Sequence, residues 1–172
     1  MIDLSIQQLD EKRILISGIP PVLAAMLREI PEILELRDST EARARLYPNP
    51  TAGDDKINRE WHQMMQPELR HLFVSAGETV GRDLTAMTAD KEAGESWQVA
   101  FPIEHVSAWM SAINQTRLIL GEIHKIDEEG MNRTDFNPRS AKDMAALRIH
   151  MLGYLLHQFV ELGGDDGSED HI

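Results

Sequence analysis

Apolar residues alternate with polar ones near the start of the chain, and further on they recur every three or four positions. The alternation within residues 2–17 predicts a β-hairpin with a polar turn near Asp10, and the alternation of Trp97, Val99 and Phe101 predicts a short strand. This strand could complete a three-stranded sheet with the hairpin, because a two-stranded hairpin is marginally stable alone.

Prolines delimit the first predicted helix. Pro20 and Pro21 suit the first turn of a helix, where a backbone N–H has no intrahelical acceptor. Pro31 lies inside the apolar pattern that follows and cannot donate to the helical ladder. We therefore expect a kink or a restart of this helix before Ile33. Residues 40–46 could form one or two further turns.

Three longer helices are predicted downstream. The first covers residues 54–87 with a break at Pro67, and the second covers residues 103–126. The last helix is expected to begin after Asn137, which is a good N-cap, and to cover residues 138–162. Polar segments that contain Pro or Gly are expected to be loops: residues 47–53, residues 88–96 and the segment that follows Asp127.

Together these elements predict a mainly α fold. We expect a helical bundle with a small N-terminal β-hairpin and a third short strand near residues 97–101. Residues 1–162 are predicted to form a single helical domain, because neither an internal repeat nor a linker divides them. The two glycines after Leu162 stop the last helix, and residues 163–172 carry four acids, so a flexible acidic tail is expected.

Charge and cysteine content exclude several functional classes. Of the 172 residues, 17 are Lys or Arg and 29 are Asp or Glu, which gives a formal charge of −12 and makes direct nucleic-acid binding improbable. The chain has no cysteine, which excludes a disulfide scaffold, a thiolate zinc site, a cysteine nucleophile and thiol redox sensing. No apolar run approaches the ~20 residues of a membrane helix, and no secretory signal is evident, so a soluble cytoplasmic protein is expected.

An arginine interrupts the apolar stripe of the second long helix. On a helical wheel Arg117 falls between Ile113 and Leu120, with His124 beside it. Because desolvating a lone cation is costly, a carboxylate from another element should meet its guanidinium, and Glu68 and Glu60 are the candidates. The polar side of this helix is predicted to carry the following residues: Glu104, Ser107, Ser111, Gln115 and Glu122.

The last helix repeats this arrangement, because Arg148 lies among Ala145, Leu152 and Leu155. Two interpretations are open. The arginines could build an anion or ligand pocket between helices, or they could form internal ion pairs that fix helix register, and we favour the second. The candidate structural or ligand site consists of five residues: Asn114, Arg117, His124, Arg148 and Glu68.

Metal and catalytic signatures are weak. His150, Tyr154, His157 and Glu161 share one face of the last helix, and the last two are four residues apart, which could let them share a metal. We favour an ordinary exposed His–Glu contact, because no third ligand is evident. The chain contains neither a glycine-rich phosphate loop nor a GxSxG elbow. We therefore expect no catalytic residue, no metal and no cofactor.

Four residues before Pro67 offer a possible contact surface. Trp61, His62, Met64 and Met65 could contact a partner, because thioethers repack easily against different shapes. Such residues are more often part of a core, and this is the interpretation that we favour for the two methionines. Trp61, Met64 and Met65 are the candidate interaction surface.

One segment of the second long helix resembles a known family. Residues 109–121 read WMSAINQTRLILG. They resemble the Trp-x-x-Ala-Leu-Asn-Asp-x-Arg-Leu-x-Leu-Gly segment of a bacterial family of unknown function, found mainly in actinobacteria and often encoded beside the ClpS protease adaptor. The family includes the accessory oxidative-stress regulator AosR. Residues 45–48 followed by Trp61 and residues 68–70 resemble its RLLPD…F…ELR region, and residues 153–160 are similar to its C-terminal helix.

The resemblance covers about residues 1–162 and implies a helical protein that contacts another protein, such as a sigma factor or a proteolysis component. Gln115 stands where the family has an acid, so any pairing of that acid is not carried over. The regulator's oxidant response is attributed to a cysteine pair, which this chain lacks.

We therefore expect a non-enzymatic interaction or regulatory protein with a protein partner. A small-ligand binder or enzyme with its site around Asn114, Arg117 and His124 is the alternative. A homodimer that buries a Met- and Trp-rich face is a third possibility.

Overall fold

The computed structural model describes residues 3–92 and 94–164. Within them the chain forms seven α-helices and one four-stranded antiparallel sheet, so the predicted mainly α fold with a small N-terminal hairpin is confirmed. The strands are β1 (Ser5–Gln8), β2 (Arg13–Ile19), β3 (Thr88–Ala89) and β4 (Trp97–Pro102). The helices are α1 (Pro21–Leu34), α2 (Thr40–Leu46), α3 (Asp55–Met64), α4 (Gln66–Leu84), α5 (Val106–Ile123), α6 (Glu128–Met131) and α7 (Ala141–Gly164).

The sheet has the strand order β1-β2-β4-β3. Ile14 pairs with Phe101 and Ile16 with Val99, and all four side chains are buried, as the period-two pattern predicts. The sequence predicted three strands, whereas residues 88–96 were expected to be a loop. That expectation is wrong for β3, because a two-residue strand is too short to show any alternation.

Helix α1 contains Pro31 and continues through it to Leu34, so a restart of the helix before Ile33, one of the two expected outcomes, is wrong. A proline inside a helix costs about 3 kcal/mol. Packing of the last turn offsets this cost, because Ile30 and Leu34 are buried. A Cβ placed on Gly77 of α4 would lie 2.9 Å from Leu34 Cδ1, so the glycine allows α4 to approach α1 closely.

The predicted break near Pro67 is present. Helix α3 begins after Asp54, whose side chain accepts a hydrogen bond from Ile57 N, and it ends at Met64. Helix α4 begins at Gln66, with Pro67 in its first turn.

Helix α5 is shorter than the predicted helix over residues 103–126. Residues 103–105 form a 3₁₀ turn, and the helix ends at Ile123. Its end is a Schellman motif: Lys125 has φ 51°, Ile126 N donates to Gly121 O at 2.9 Å, and Lys125 N donates to Glu122 O at 3.3 Å. Glycine is the usual residue at that left-handed position. Because lysine occupies it here, no glycine marks the end of this helix in the sequence.

Helix α7 begins at Ala141, not directly after Asn137 as predicted. Ser140 Oγ accepts a hydrogen bond from Asp143 N at 3.1 Å and is therefore the actual N-cap. The Asp143 carboxylate accepts from Asn137 N and from Arg133, which ties the preceding segment to the helix. The helix extends to Gly164, two residues beyond the prediction, and the remainder of the predicted acidic tail lies outside the described residues.

Helix α5 lies at the centre of the fold and packs against α1, α2, α4 and α7. Trp109 is fully buried, stacks on Phe101 with the ring centroids 4.7 Å apart, and contacts Phe159 of α7. Trp109 Nε1 donates to Asp83 Oδ2 at 2.9 Å, and His105 Nδ1 lies 2.8 Å from the same oxygen. This aromatic group joins the sheet to the helices.

Candidate functional site

Arg117 contacts α7 and not a carboxylate. Its Nε donates to Ile149 O at 3.2 Å, and none of the acidic side chains in the described part of the chain lies within ion-pair distance of it. Glu60 and Glu68 are exposed. The expectation that either of them pairs with Arg117 is therefore wrong.

A glycine provides the space for this arginine. A Cβ placed on Gly153 would lie 3.0 Å from the nearer terminal nitrogen of Arg117, 3.2 Å from its Cζ and 3.3 Å from its Nε. Burial against α7 lowers the pKa of Arg117 below its ordinary value, because the charged form is partly desolvated. Arg117 is thus a half-buried cation without a carboxylate partner among residues 3–92 and 94–164.

The structure does not gather the other predicted residues around Arg117. Asn114 is exposed and His124 is half-buried, and none of the four pockets found in the described residues is lined by either of them or by Arg117. Gln115 was expected on the polar side but is buried. Its Nε2 donates to Ser111 Oγ at 3.0 Å.

Arg148 has a carboxylate partner from another helix. One of its terminal nitrogens lies 2.9 Å from Glu29 Oε2 of α1, and both side chains are partly exposed. This is the kind of ion pair between elements that was expected of Arg117.

The face of α7 that carries His150, His157 and Glu161 has an exposed His–Glu contact. His157 Nε2 lies 3.4 Å from Glu161 Oε1, and both side chains are more than half exposed. His150 contacts the Phe136 ring. Within residues 3–92 and 94–164, no three His, Asp or Glu side chains come together in a way that could hold a metal ion.

Two consecutive helices expose large apolar side chains. Met64 is 73% exposed, Leu72 64% and Met65 50%, so the interpretation of the two methionines as core is wrong. Ile57 is also exposed, and Trp61 is half-buried. Ile57, Trp61 and Met64 follow one face of α3 at helical spacing, and Met65 and Leu72 are two turns apart along α4. We call these five residues the α3–α4 surface.

A polar pocket of about 440 Å³ lies beside α3. We call it the α2–α3 pocket, and its lining residues are Arg43, Ala44, Tyr47, Asn49, His62 and Gln66. It was not predicted from the sequence, because its walls come from three helices, α2, α3 and α4, and from the loop between the first two. The proline-rich loop at residues 47–53 was the available signal.

Hydrogen bonds hold this pocket in shape. His62 Nδ1 lies 2.6 Å from Gln66 Oε1, and Nε2 lies 2.7 Å from Asn49 Oδ1. The loop is fixed to α3, because Thr51 N and Oγ1 both donate to Asn58 Oδ1, at 3.1 Å and 2.9 Å. The imidazole of His62 is therefore oriented by contacts on both nitrogens.

Tyr47 is the most buried of the residues that line this pocket, with 2% of its surface exposed. Its hydroxyl is buried without a hydrogen-bond partner among the described residues. Burial raises the pKa of the Tyr47 hydroxyl, and the Asp38 carboxylate adds to this effect, whereas Arg70, Arg37 and Arg43 oppose it. The phenol is thus close to three cations and one anion.

Comparisons with known proteins identify a family without a described activity. No curated protein matches the chain, and no solved structure matches it. None of the helices in the described residues is long and apolar enough to cross a bilayer. One family model, described as a domain of unknown function and named DUF2017, matches residues 9–162, which is most of the chain. The chain therefore belongs to the DUF2017 family.

Proposed function

We propose that this protein is a non-enzymatic interaction protein that binds a protein partner through the α3–α4 surface. The observation that carries the proposal is the exposure of Met64, Met65 and Leu72, each of which leaves half or more of a large apolar side chain in water. Neighbouring exposed apolar side chains of this kind commonly mark a contact site. Methionine side chains adapt to different partner shapes, which suits a regulatory contact.

The partner that fits best presents apolar side chains with basic residues around them. The chain carries a formal charge of −12, which attracts a basic partner and accelerates their encounter. The same charge opposes a second copy of this chain, because two copies repel each other. A second copy of this chain is therefore a less favoured partner for the α3–α4 surface than a basic protein.

The sequence resemblance supports a regulatory role for such a contact. Residues 109–121 resemble the family segment that also occurs in the oxidative-stress regulator AosR, so an accessory role in transcription or proteolysis is part of this proposal. The chain has no cysteine, so thiol oxidation of this protein is not its signal.

A ligand site at Arg117 is the alternative function. One observation supports it: the guanidinium is half-buried and has no carboxylate partner among the described residues. Asn114 is exposed, so polar side chains do not converge around Arg117. We therefore favour the α3–α4 surface as the functional site.

Affinity purification of tagged variants from the native host at moderate salt tests the proposal. Met64→Asp places a charge at the most exposed methionine, and Val160→Asp introduces the same charge at another exposed apolar position, on α7. Burial of a methionine side chain contributes about 1.5–3 kcal/mol, so Met64→Asp should weaken binding at least tenfold.

We expect wild type and Val160→Asp to retain one stoichiometric basic partner and Met64→Asp to lose it, with similar thermal stability in all three proteins. Equal recovery with Met64→Asp and Val160→Asp would contradict the proposal. A self-associated wild type, measured by light scattering, would show that a second copy covers the surface.

A further inference from the structure

The α2–α3 pocket has no role in the proposed protein contact, and its chemistry points to a ligand. Arg43 and His62 provide a cation and an oriented imidazole, and Asn49 and Gln66 provide amide groups. Such a combination of a concave volume with a few converging polar groups is typical of a small-molecule site.

The charges around the pocket are unbalanced. Asp38 is the carboxylate closest to the Tyr47 phenol, and Arg70 already binds it, with Nε and a terminal nitrogen donating to its two oxygens at 3.1 Å and 2.7 Å. Arg37 and Arg43 have no carboxylate within ion-pair distance among the described residues. Asp38 lies close enough to interact electrostatically with both arginines, but its two oxygens are bound by Arg70, so Arg43 at the pocket wall has no carboxylate partner of its own among the described residues.

We propose that the α2–α3 pocket binds a small organic anion, with a carboxylate or a phosphate as its charged group. Arg43 provides the counter-charge at the pocket wall. The amide N–H groups of Asn49 and Gln66, whose oxygens contact the His62 ring, donate hydrogen bonds to the anionic oxygens. The volume of about 440 Å³ leaves room for more than the charged group alone.

NMR titration of the full chain tests this site. Inorganic phosphate and acetate serve as probes in separate titrations at constant ionic strength, with chloride as the reference, because general screening affects every exposed charge. We expect saturable chemical-shift changes at the backbone of Ala44 and Asn49 and at the His62 ring. The probe with the higher affinity identifies the charged group of the natural ligand.

Three variants separate a specific site from a general charge effect. Arg43→Gln should weaken binding about tenfold, because it removes a charge-assisted hydrogen bond. Arg45→Gln makes the same change two residues along α2, where the side chain faces Glu122, and should leave binding unchanged. Tyr47→Phe should leave binding unchanged, because the hydroxyl that it removes is buried out of reach of the pocket.

The proposal is overturned if neither probe gives saturable shifts at these residues, or if Arg43→Gln and Arg45→Gln weaken binding equally.

Discussion

Replacing Gly153 with alanine tests how Arg117 is held. In α7 an added Cβ would lie 3.0–3.3 Å from three atoms of the guanidinium, which is closer than most Cβ contacts. The guanidinium must then move away, and its Nε loses the hydrogen bond to Ile149 O.

Two opposing terms set the size of the effect. Alanine is favoured over glycine inside a helix by about 1 kcal/mol. A hydrogen bond from a charged group contributes about 1.5–3 kcal/mol, and the lower value applies to Arg117 because its bond is 3.2 Å long and shares a helical carbonyl. Gly153→Ala should therefore destabilise the wild type by about 0.5 kcal/mol. It should stabilise Arg117→Met, which lacks the guanidinium, by about 1 kcal/mol.

Urea denaturation of the four proteins of this double-mutant cycle measures the coupling, which we expect to be about 1.5 kcal/mol. Arg117→Met itself should cost no more than about 1.5 kcal/mol, and not the 3–5 kcal/mol of a broken buried ion pair. Equal effects of Gly153→Ala in both backgrounds would refute the contact. A loss of several kcal/mol in Arg117→Met would show that the arginine has an internal counter-charge after all.

Three further predictions concern the fold. Trp109→Phe should destabilise by about 2–3 kcal/mol in urea titrations, because it leaves a cavity and removes a donor from Asp83. Ser140→Ala should cost about 1 kcal/mol through loss of the α7 N-cap, and amide exchange in the first turn of that helix should accelerate. Hydrogen bonds from Arg70 hold the pKa of the Asp38 carboxyl below its ordinary value of 3.8. The ionised Asp38 carboxylate therefore stabilises the folded protein above pH 3.8. Asp38→Asn should lower the melting temperature slightly at neutral pH, and this difference should disappear as the pH falls below 3.8.

The elements follow from the sequence because their signals are local. Val99 and Phe101 alternate with polar or small residues, whereas Ile14 and Ile16 belong to an apolar run with Leu15, and these two patterns predicted both paired strands of the sheet. Likewise, the longer helices were predicted in type and order from spacing and proline positions. Helix α6 was not predicted, because the segment after Asp127 was expected to be a loop. The boundaries were less accurate, as at Lys125, where a residue other than glycine occupies the left-handed position that ends α5.

The site was less predictable because it depends on distances between elements. The helical wheel placed Arg117 correctly on the side of α5 that packs against other elements, but it could not show that α7 is the element that contacts it. Gly153, in the middle of a predicted helix, was the signal that another group approaches there closely. Met64 and Met65 were assigned to the core because methionine is usually buried, and that general tendency does not show which side of a helix packs against other elements.

Site-specific photo-crosslinking in living cells tests the central claim most directly. A photo-reactive amino acid replaces Met64 in one variant and Val160 in the other, since both positions are exposed and apolar. The account predicts one dominant adduct with a basic protein from position 64 and no such adduct from position 160. An adduct between two copies of this chain, or equal adducts from both positions, would contradict it.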